Sequence, residues 1–312
     1  MACVKCCWNW VQPDAGFMRE KDKSMSTIVA AGPNSDQIEY WNGMAGARWV
    51  THQEKLDASI GGIGADAMSR AQVKEGERVL DVGCGCGHTT LDIAHQVGTS
   101  GKVLGVDIST PMLDLARSRM DDAEINHVHF ANADAETHKF NDDQFDLLFS
   151  RFGVMFFDDP VAAFRNLGSV LGSGGRLVFV CWRSPEDNPW LVQPAKVAGE
   201  HIELPPRAGP GEPGPFAFAD PDRVKRILAG AGFDNIELEQ RDGDLQLGGP
   251  QSLDDAVDFA LKLGPSAMPL AEADAETAET VIQSVRTFLE PHYTGSAVEM
   301  PSSAWIVTAS RT

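Results

Sequence analysis

The sequence predicts an α/β fold with a doubly wound, mostly parallel sheet. Within residues 77–182, short apolar segments typical of buried strands alternate with helical segments of about ten residues. The first apolar segment, residues 79–82, ends in a turn that contains Gly83, Gly85 and Gly87, and helical spacing resumes after it. A strand, a glycine turn and a helix in this order form the first unit of a nucleotide-binding α/β sheet.

The next two strands also end in polar residues. The second, residues 102–109, carries Asp107 about 20 residues beyond Gly87, the offset at which a carboxylate can bind a pair of ribose hydroxyls. The third strand, residues 127–131, leads into a polar tip at residues 132–135. Because ligands of open α/β sheets bind outside the carboxyl ends of the strands, we expect the three tips to meet at one crevice.

Five motifs occur in order and at fitting distances in this part of the chain. They are VLDVGCGCG (79–87), GVDIS (105–109), NADAE (132–136), FDLLFSRFGVMFF (145–157) and LGSGGRLVFVCW (171–182). The series resembles that of the class I S-adenosylmethionine-dependent methyltransferases, and it is most similar to their small-molecule branch, which includes the quinone C-methyltransferases. The resemblance covers about residues 40–182. It implies a Rossmann-like, seven-stranded sheet with an antiparallel last strand, S-adenosyl-L-methionine as cofactor and S-adenosyl-L-homocysteine as product.

The resemblance also implies which residues contact the cofactor. In that family the glycine loop lies along the methionine part of the cofactor, which maps to Asp81, Gly83, Cys84, Gly85 and Gly87. The acid after the second strand holds the ribose hydroxyls, which maps to Asp107 with Ile108 beside the adenine. The acid after the third strand receives the adenine amino group, which maps to Asp134 with Ala135 next to it. Ser150, at the tip of the fourth strand, is expected to face the same crevice.

The segment before the glycine loop contains aromatic residues at near-helical spacing, among them Tyr40, Trp41 and Trp49. One interpretation is an amphipathic helix that packs on the sheet, with its aromatic residues in the core. The other is a lid over the cofactor, as N-terminal helices provide in the family that the chain resembles. We predict the lid, with Tyr40 and Trp49 in contact with the cofactor.

Two further residues are candidates for contact with the substrate. Arg151 follows Ser150 at the tip of the fourth strand, where it either binds an acidic substrate or pairs with Asp158 or Asp159. Trp190 lies in the segment after the core and is a candidate wall of the substrate pocket.

The chain divides into five predicted segments. These are a disordered extension (1–25), an N-terminal helical lid (26–75), the S-adenosylmethionine-binding core (76–182), a proline-rich insertion (183–220) and the C-terminal part of the sheet (221–312). The last segment contains a predicted helical cap insertion at about 250–292, with helices at 253–263 and 271–289, and a final strand at 303–310.

Composition limits the partners. Hydrophobic residues make up 43% of the chain and charged residues 23%, as in ordinary globular proteins. The formal net charge of −19 argues against nucleic acid and against anionic lipid. Apolar runs stay well below the ~18 residues needed to span a membrane. We therefore expect a cytoplasmic protein that acts on a small molecule. Whether the protein forms a homodimer is left open by the sequence.

The six cysteines predict neither disulfides nor a metal site. Cys84 and Cys86 belong to the glycine loop, and the C-x-x-C-C of residues 3–7 lacks the second pair that zinc sites of this kind normally show. Residues 1–24 show no signal-peptide pattern, and Met25 is a candidate natural start of the protein.

The chemistry that the resemblance implies is in-line transfer of a methyl group to a small organic acceptor. The acceptor is a phenol or quinone carbon or oxygen, an amine or a small acid, and the sequence identifies no catalytic residue. Two alternatives remain: an NAD(P)-dependent oxidoreductase, which shares the first strand and glycine turn, and a non-catalytic S-adenosylmethionine-binding relative. His88 stands where the dinucleotide fingerprint has its third glycine, which weighs against the oxidoreductase.

Overall fold

The computed structural model describes residues 28–140 and 144–311, and their centre is a single seven-stranded sheet. The strands are β1 (Arg78–Val82), β2 (Lys102–Asp107), β3 (Val128–Asn132), β4 (Phe145–Arg151), β5 (Leu171–Trp182), β6 (Asp234–Gln246) and β7 (Glu299–Ser310). Their order across the sheet is β3-β2-β1-β4-β5-β7-β6. Neighbours from β3 to β5 are parallel, whereas β7 runs antiparallel between β5 and β6. The predicted fold class is confirmed.

Helices cover the sheet and extend beyond it. They are α1 (Ser35–Asn42), α2 (Met44–Thr51), α3 (Gln53–Ala71), α4 (His88–Val97), α5 (Thr110–Asp122), α6 (Pro160–Gly168), α7 (Pro189–Ala198), α8 (Pro221–Ala231), α9 (Leu253–Leu263), α10 (Ala267–Glu272) and α11 (Ala275–Leu289), with 3₁₀ turns at Val154–Phe156 and Glu290–His292. Several begin at a side chain that accepts a hydrogen bond from the first turn, as Asp159 does for α6 and Ser252 for α9.

The parallel strands lie inside the molecule because both of their faces are apolar. Leu148 and Phe149 are consecutive in β4 and therefore point to opposite faces, yet both are fully buried. Helix α3 packs against β4 to β7, and α4 packs against β1, β2 and β3. Burial of both faces explains why the core strands read as continuous apolar runs rather than as alternating patterns.

Two predicted segments differ from the structure. The segment 183–220, predicted as a proline-rich insertion with no helix assigned to it, contains α7, because an apolar face with Trp190 and Ala198 is buried and outweighs the internal Pro194. The predicted helix 271–289 is two helices, α10 and α11, because Asp274 accepts a hydrogen bond from the N–H of Thr277 and starts a new helix there. The domain boundaries remain predictions.

One prediction concerns residues that the structure does not describe, and two others concern membrane spans and metal sites. The predicted disordered extension, residues 1–25, lies outside the described residues. Within residues 28–140 and 144–311, no helix combines the length and the apolar character needed to cross a bilayer. The same ranges contain no group of three or more His, Cys, Asp or Glu side chains arranged to hold a metal ion.

The buried amide of Asn188 connects α7 to the last strand and gives a test of the fold. Its side chain bonds the Ser184 carbonyl (3.1 Å), both backbone groups of Ser303 (2.9 and 3.0 Å) and Trp190 Nε1 (3.3 Å). Asn188→Ala leaves these groups unpaired, so we expect the free energy of unfolding in urea to fall by roughly 2–4 kcal/mol. Asn126→Ala, at an exposed position, is the matched control, and an equal loss there would contradict the assignment.

Candidate functional site

The glycine loop after β1 is held by close backbone contacts. Gly83, Gly85 and Gly87 have φ values of +66°, +55° and +78°, which other residues rarely adopt. A Cβ on Gly83 would lie 2.7 Å from the Cα of Gly153, and one on Gly87 would lie 2.8 Å from the Cβ of Ala116. Glycine is therefore required here by the protein's own packing as well as by any ligand.

Asp81, inside β1, is completely buried. Its Oδ2 accepts hydrogen bonds from the hydroxyls of Thr89 (2.9 Å) and Thr90 (2.6 Å) in the first turn of α4, which fixes the loop between strand and helix. Its Oδ1 is buried with no hydrogen-bond partner among the described residues. Burial raises the pKa of this carboxyl to about 6, although the two hydroxyls oppose the shift. Asp81 thus has one acceptor to spare for a donor group.

The Asp107 carboxylate, at the end of β2, is oriented by main-chain donors. Its Oδ2 accepts from the N–H of Gly85 (2.8 Å) and its Oδ1 from the N–H of Ser109 (2.8 Å). Burial raises its pKa, and these N–H groups oppose that shift. Each carboxylate oxygen has a further lone pair, so the group fits a vicinal diol. The structure therefore places Asp107 beside the glycine loop, as predicted.

Asp134 lies in the turn after β3 together with an unexpected partner. Its Oδ1 accepts from the N–H of Glu136 (3.0 Å) and from Asn34 Nδ2 (3.4 Å), and its Oδ2 accepts from the Thr137 hydroxyl (3.3 Å). Asn34 is buried, and its Oδ1 has no hydrogen-bond partner in the described ranges. A carboxylate and an unused amide oxygen in one place fit an amino group with two N–H donors, as adenine presents.

The N-terminal helices are fastened to the end of β2. The Asn42 side chain donates to the Ile108 carbonyl (2.8 Å) and accepts from the N–H of Thr110 (2.9 Å). The Ser109 hydroxyl donates to the Trp41 carbonyl (2.7 Å). These bonds bring α1 and α2, which we call the lid helices, to the tip that carries Asp107.

Trp41 is the central ring of the lid helices. Its ring meets those of Tyr40, Trp49 and Phe156 edge-on at centroid distances of 5.3, 5.5 and 5.4 Å. Trp49 is partly buried against the core. Tyr40 is 58% exposed, so the structure does not enclose it as the predicted cofactor contact would require. The reason is helical spacing, which turns Tyr40 outward while its neighbour Trp41 faces Phe156.

The hydroxyl of Ser150, at the end of β4, is used inside the protein. It donates to the Val82 carbonyl (2.7 Å) and accepts from the N–H of Gly153 (3.2 Å), and the residue is 1% exposed. Phe152 follows with φ +62°, a conformation uncommon for residues other than glycine. Ser150 therefore positions the backbone beside the glycine loop.

Arg151 pairs with a residue that the sequence did not suggest. Its Nη2 donates to Asp57 Oδ1 (2.7 Å), and Asp57 also lies 3.5 Å from His88 Nδ1. The predicted alternative, pairing with Asp158 or Asp159, is wrong, because α3 packs on β4 and brings Asp57 to the strand tip. Arg151 Nη1 is buried without a partner among the described residues.

A cleft of about 390 Å³ lies between α3 and α4, and Arg151 and His88 are among its lining residues. The residues that line it come from these two helices and the tip of β4. Of the predicted cofactor contacts, none belongs to this lining. The cleft is therefore separate from the crevice that Asp107 and Asp134 define.

Trp190, the candidate wall of the substrate pocket, belongs to a buried aromatic stack. The Phe152 ring stacks on Trp182 at 4.0 Å with an interplanar angle of 14°, and Trp182 meets Trp190 edge-on at 5.2 Å. The stack leads from the tip of β4 to α7. Trp190 is only 8% exposed, so it does not form a pocket wall by itself. It supports Trp182, on which the Phe152 ring stacks.

The two cysteines of the loop are structural. Cys84 and Cys86 are buried, and burial raises the pKa of Cys84 and takes that of Cys86 to about 12. Neither thiol forms the thiolate that a nucleophile requires. The guanidinium of Arg119 donates to the Cys86 carbonyl (3.0 Å) and fastens α5 to the loop.

Sequence reasoning missed Asn34, Asn42, Asp57 and Glu136. Asn34 precedes a helix, a position where asparagine is common, but nothing local connects it to Asp134. From the sequence alone, Asp57 is an ordinary acidic residue on the face of a helix, and no local pattern connects it to Arg151. Only the three-dimensional arrangement brings these residues to the strand tips.

The family becomes clear from comparison with known proteins. A family model described as "Methyltransferase domain" matches residues 73–210. The demethylmenaquinone methyltransferase of Staphylococcus saprophyticus is 28% identical over 191 residues, which cover 56% of this chain and 78% of that protein. The ubiquinone/menaquinone biosynthesis C-methyltransferase UbiE of Azotobacter vinelandii is 32% identical over 186 residues, which cover 55% of this chain and 72% of that protein.

Two further comparisons cover a shorter region and the fold. The aklanonic acid methyltransferase DauC of Streptomyces sp. (strain C5) is 38% identical over 104 residues, which cover 33% of this chain and 47% of that protein. Among solved structures, the BH2331 protein of Bacillus halodurans C-125 gives a TM-score of 0.53 at 22% identity and covers 80% of this chain and 98% of that one. At this identity the structural match shows the fold alone.

The fold and the matches define a Rossmann-like methyltransferase. The chain belongs to the class I S-adenosylmethionine-dependent methyltransferases, in the branch of the quinone C-methyltransferases. It is an enzyme, and its cofactor is S-adenosyl-L-methionine. The oxidoreductase and the non-catalytic relative are therefore not retained. The residues present fit this cofactor: the spare acceptors of Asp81 and Asn34 are buried polar atoms that a donor-rich ligand would satisfy.

Removing the Asp107 carboxylate tests its place in the site. Asp107→Ala eliminates the proposed contact to the ribose and frees the N–H of Gly85, so we expect binding of S-adenosylhomocysteine to weaken by ~1.5–3 kcal/mol for each charged hydrogen bond lost. Calorimetric titration measures this change. Asp114→Ala, an exposed acid on α5, is the control. Parent-like affinity of the Asp107 variant would remove this carboxylate from the site.

Asp81→Asn tests the cost of the buried carboxylate. Burial raises the pKa of Asp81 from 3.8, the value of a solvated aspartate, to about 6 in the folded protein. Ionisation therefore destabilises the folded parent, fully above pH about 6 and not at all below about 4. We expect the unfolding free energy of the amide variant, relative to the parent, to rise by about 1–2 kcal/mol between pH 5 and pH 8. Urea unfolding at the two pH values measures it, and a pH-independent difference would contradict the assignment.

Proposed function

We propose that this enzyme methylates a small aromatic acceptor of the quinol or phenol type, at a ring carbon or a hydroxyl oxygen. The observation that carries the proposal is the aromatic surround of the crevice, formed by Trp41 and Phe156 and by the stack of Phe152 on Trp182. Flat apolar rings favour packing of a flat acceptor ring. The names of the relatives, which act in menaquinone and ubiquinone synthesis and on aklanonic acid, support the same class.

The residues that would hold the cofactor follow from the donors and acceptors of the crevice. Asp107 would receive the ribose hydroxyls, and Asp134 with Asn34 would receive the adenine amino group. The glycine loop, with Asp81 behind it, would lie along the methionine part. When bound, the cofactor supplies an electrophilic methyl group on a positively charged sulfur.

The chain's own contribution to the chemistry is position and exclusion of water. The lid helices and the segment after β4 meet through Trp41 and Phe156, which closes the crevice with apolar rings. An enclosed, dry site favours a reaction in which positive charge is neutralised. Holding the acceptor atom behind the methyl group then lowers the barrier by orientation.

His52, which directly precedes α3, is a candidate for proton removal from a phenolic acceptor, whereas His88 belongs to the separate cleft between α3 and α4. His88 lies between the carboxylates of Asp57 and Asp92, each 3.5 Å from a ring nitrogen. His52 is partly buried, and its ring meets that of Phe259 edge-on at 6.1 Å. Burial lowers the pKa of His52, which favours the neutral form that accepts a proton.

The experiment is an acceptor screen with S-adenosylmethionine that carries a labelled methyl group. The acceptors are a naphthoquinol without a ring methyl, a phenolic aromatic acid and an aliphatic amine. We expect label in the quinol or the phenol, and transfer to the amine alone would contradict the proposal.

A variant of the lid extends this screen. Trp41→Ala removes the ring that joins both lid helices to Phe156, so we expect turnover of the aromatic acceptor to fall roughly tenfold, about the value of lost aromatic packing. Met44→Ala, an exposed position on α2, is the matched control. Equal turnover in the two variants would exclude the lid from the acceptor site.

A further inference from the structure

Glu136 is a buried residue whose carboxyl group has no role in the methyl transfer proposed above. It lies in the turn after β3, two residues beyond Asp134, and is 6% exposed. Its Oε2 accepts hydrogen bonds from the N–H groups of Asp158 (3.0 Å) and Asp159 (3.2 Å), just before α6. Its own N–H donates to Asp134 Oδ1 (3.0 Å). One residue therefore joins the candidate adenine contact to the start of α6.

The connection is informative because of the strand order. In the strand order of the sheet, which runs β3-β2-β1-β4 on this side, two strands lie between β3 and β4. Glu136 nevertheless bonds the chain that follows β3 to the chain that follows β4. The bond therefore links the two sides of the crevice, between which Asp107 and the glycine loop emerge.

The segment after β4 contacts the glycine loop, the lid helices and the turn that carries Asp134. Near its start, Gly153 lies against Gly83 of the glycine loop. In its middle, the Phe156 ring lies against Trp41 of the lid helices. At its end, the N–H groups of residues 158–159 reach Glu136. A shift at this last point would therefore change the position of both the loop contact and the lid contact.

The surroundings of Glu136 are mostly acidic. Burial and the charges of Asp134 and Asp158 raise its pKa to about 7, although the two N–H groups oppose the shift. On the same turn, burial lowers the pKa of His138, so this ring is neutral at pH 7 and offers no compensating charge. The remaining ionisable group at the contact is Asp159, whose carboxylate accepts the N–H of Ala162 in α6.

We propose that Glu136 is a positioning residue for the cofactor site, whose carboxylate holds the segment after β4 and the Asp134 turn in the arrangement that accepts the cofactor. The inference rests on the proposed function in one respect, because it places the adenine at Asp134. The turn has a second tie, since Asn166 Nδ2 donates to the carbonyls of Ala135 (2.9 Å) and His138 (2.8 Å). Variants at Glu136 should therefore keep the fold.

The test compares binding of S-adenosylhomocysteine by the parent, Glu136→Gln and Glu136→Ala, measured by calorimetry at pH 6, 7 and 8. Glu136→Gln retains an oxygen acceptor but cannot ionise. We expect it to bind roughly tenfold more weakly than the parent at pH 8, the value of a lost charged hydrogen bond, and less than about threefold more weakly at pH 6. The gap closes at low pH because the parent carboxyl is then protonated too. Glu136→Ala should bind more weakly still at every pH.

The ratio of the two affinities isolates Glu136, because Asp81 titrates equally in both proteins. Glu77→Gln is the control: this acid pairs with Arg176 (2.8 Å) at the opposite end of the sheet, so its loss should lower the melting temperature and leave cofactor affinity unchanged. Melting curves of the Glu136 variants check that they fold.

Three outcomes separate the claims. A parent-to-Gln ratio that grows with pH, with the Glu77 variant at parent affinity, supports the positioning role. Parent-like affinity of Glu136→Gln, or a ratio that is constant with pH, would overturn it while leaving the cofactor site intact. Absence of binding by the parent itself would overturn the proposed cofactor site.

Discussion

The contact between two backbones, at Gly83 and Gly153, is the constraint on which the rest of the site depends. A Cβ on either glycine would lie 2.7 Å from atoms of the other segment or of Val82, so the glycine loop and the segment after β4 touch without side chains between them. The Ser150 hydroxyl fixes this contact by bonding Val82 and Gly153 together. Because the loop cannot move without the segment, the carboxylates at the strand tips and the aromatic rings of the lid form one unit.

The parts of this unit that are local in sequence could be predicted from it. Strands β1 to β5 are apolar runs with clear ends, so the parallel part of the sheet was identified correctly. Asp107 stands at a fixed distance from the glycines, and the structure places it beside Gly85, whereas its contact with the cofactor remains a prediction. The antiparallel β7 followed from the family resemblance, since no local pattern shows strand direction. What failed depends on packing: Arg151 pairs with Asp57 because α3 lies on β4, and Tyr40 faces outward because its neighbour Trp41 meets Phe156.

Polar contacts between distant segments were the least predictable. Asn34 and Asp134 are 100 positions apart, and Asn42 and Ile108 are 66 apart, yet both pairs bond at the crevice. An asparagine before or at the end of a helix is ordinary in sequence, and its partner is decided only when the helix docks. The site residues assigned from sequence alone are thus those whose position follows from the strand order, whereas the residues that close the site require the fold.

Three acidic residues of the site share one electrostatic property, a raised pKa. Asp81, Asp107 and Glu136 all have raised pKa values because burial penalises their charged forms. Such groups destabilise the folded protein near neutral pH, and proteins retain such costs mainly where function needs them. The cofactor of this family carries a positive sulfonium, and a nearby positive charge favours ionised carboxylates. Binding should therefore draw Asp81, the acid behind the glycine loop, toward its ionised form and release protons, which relieves in the complex part of the penalty that the free enzyme bears.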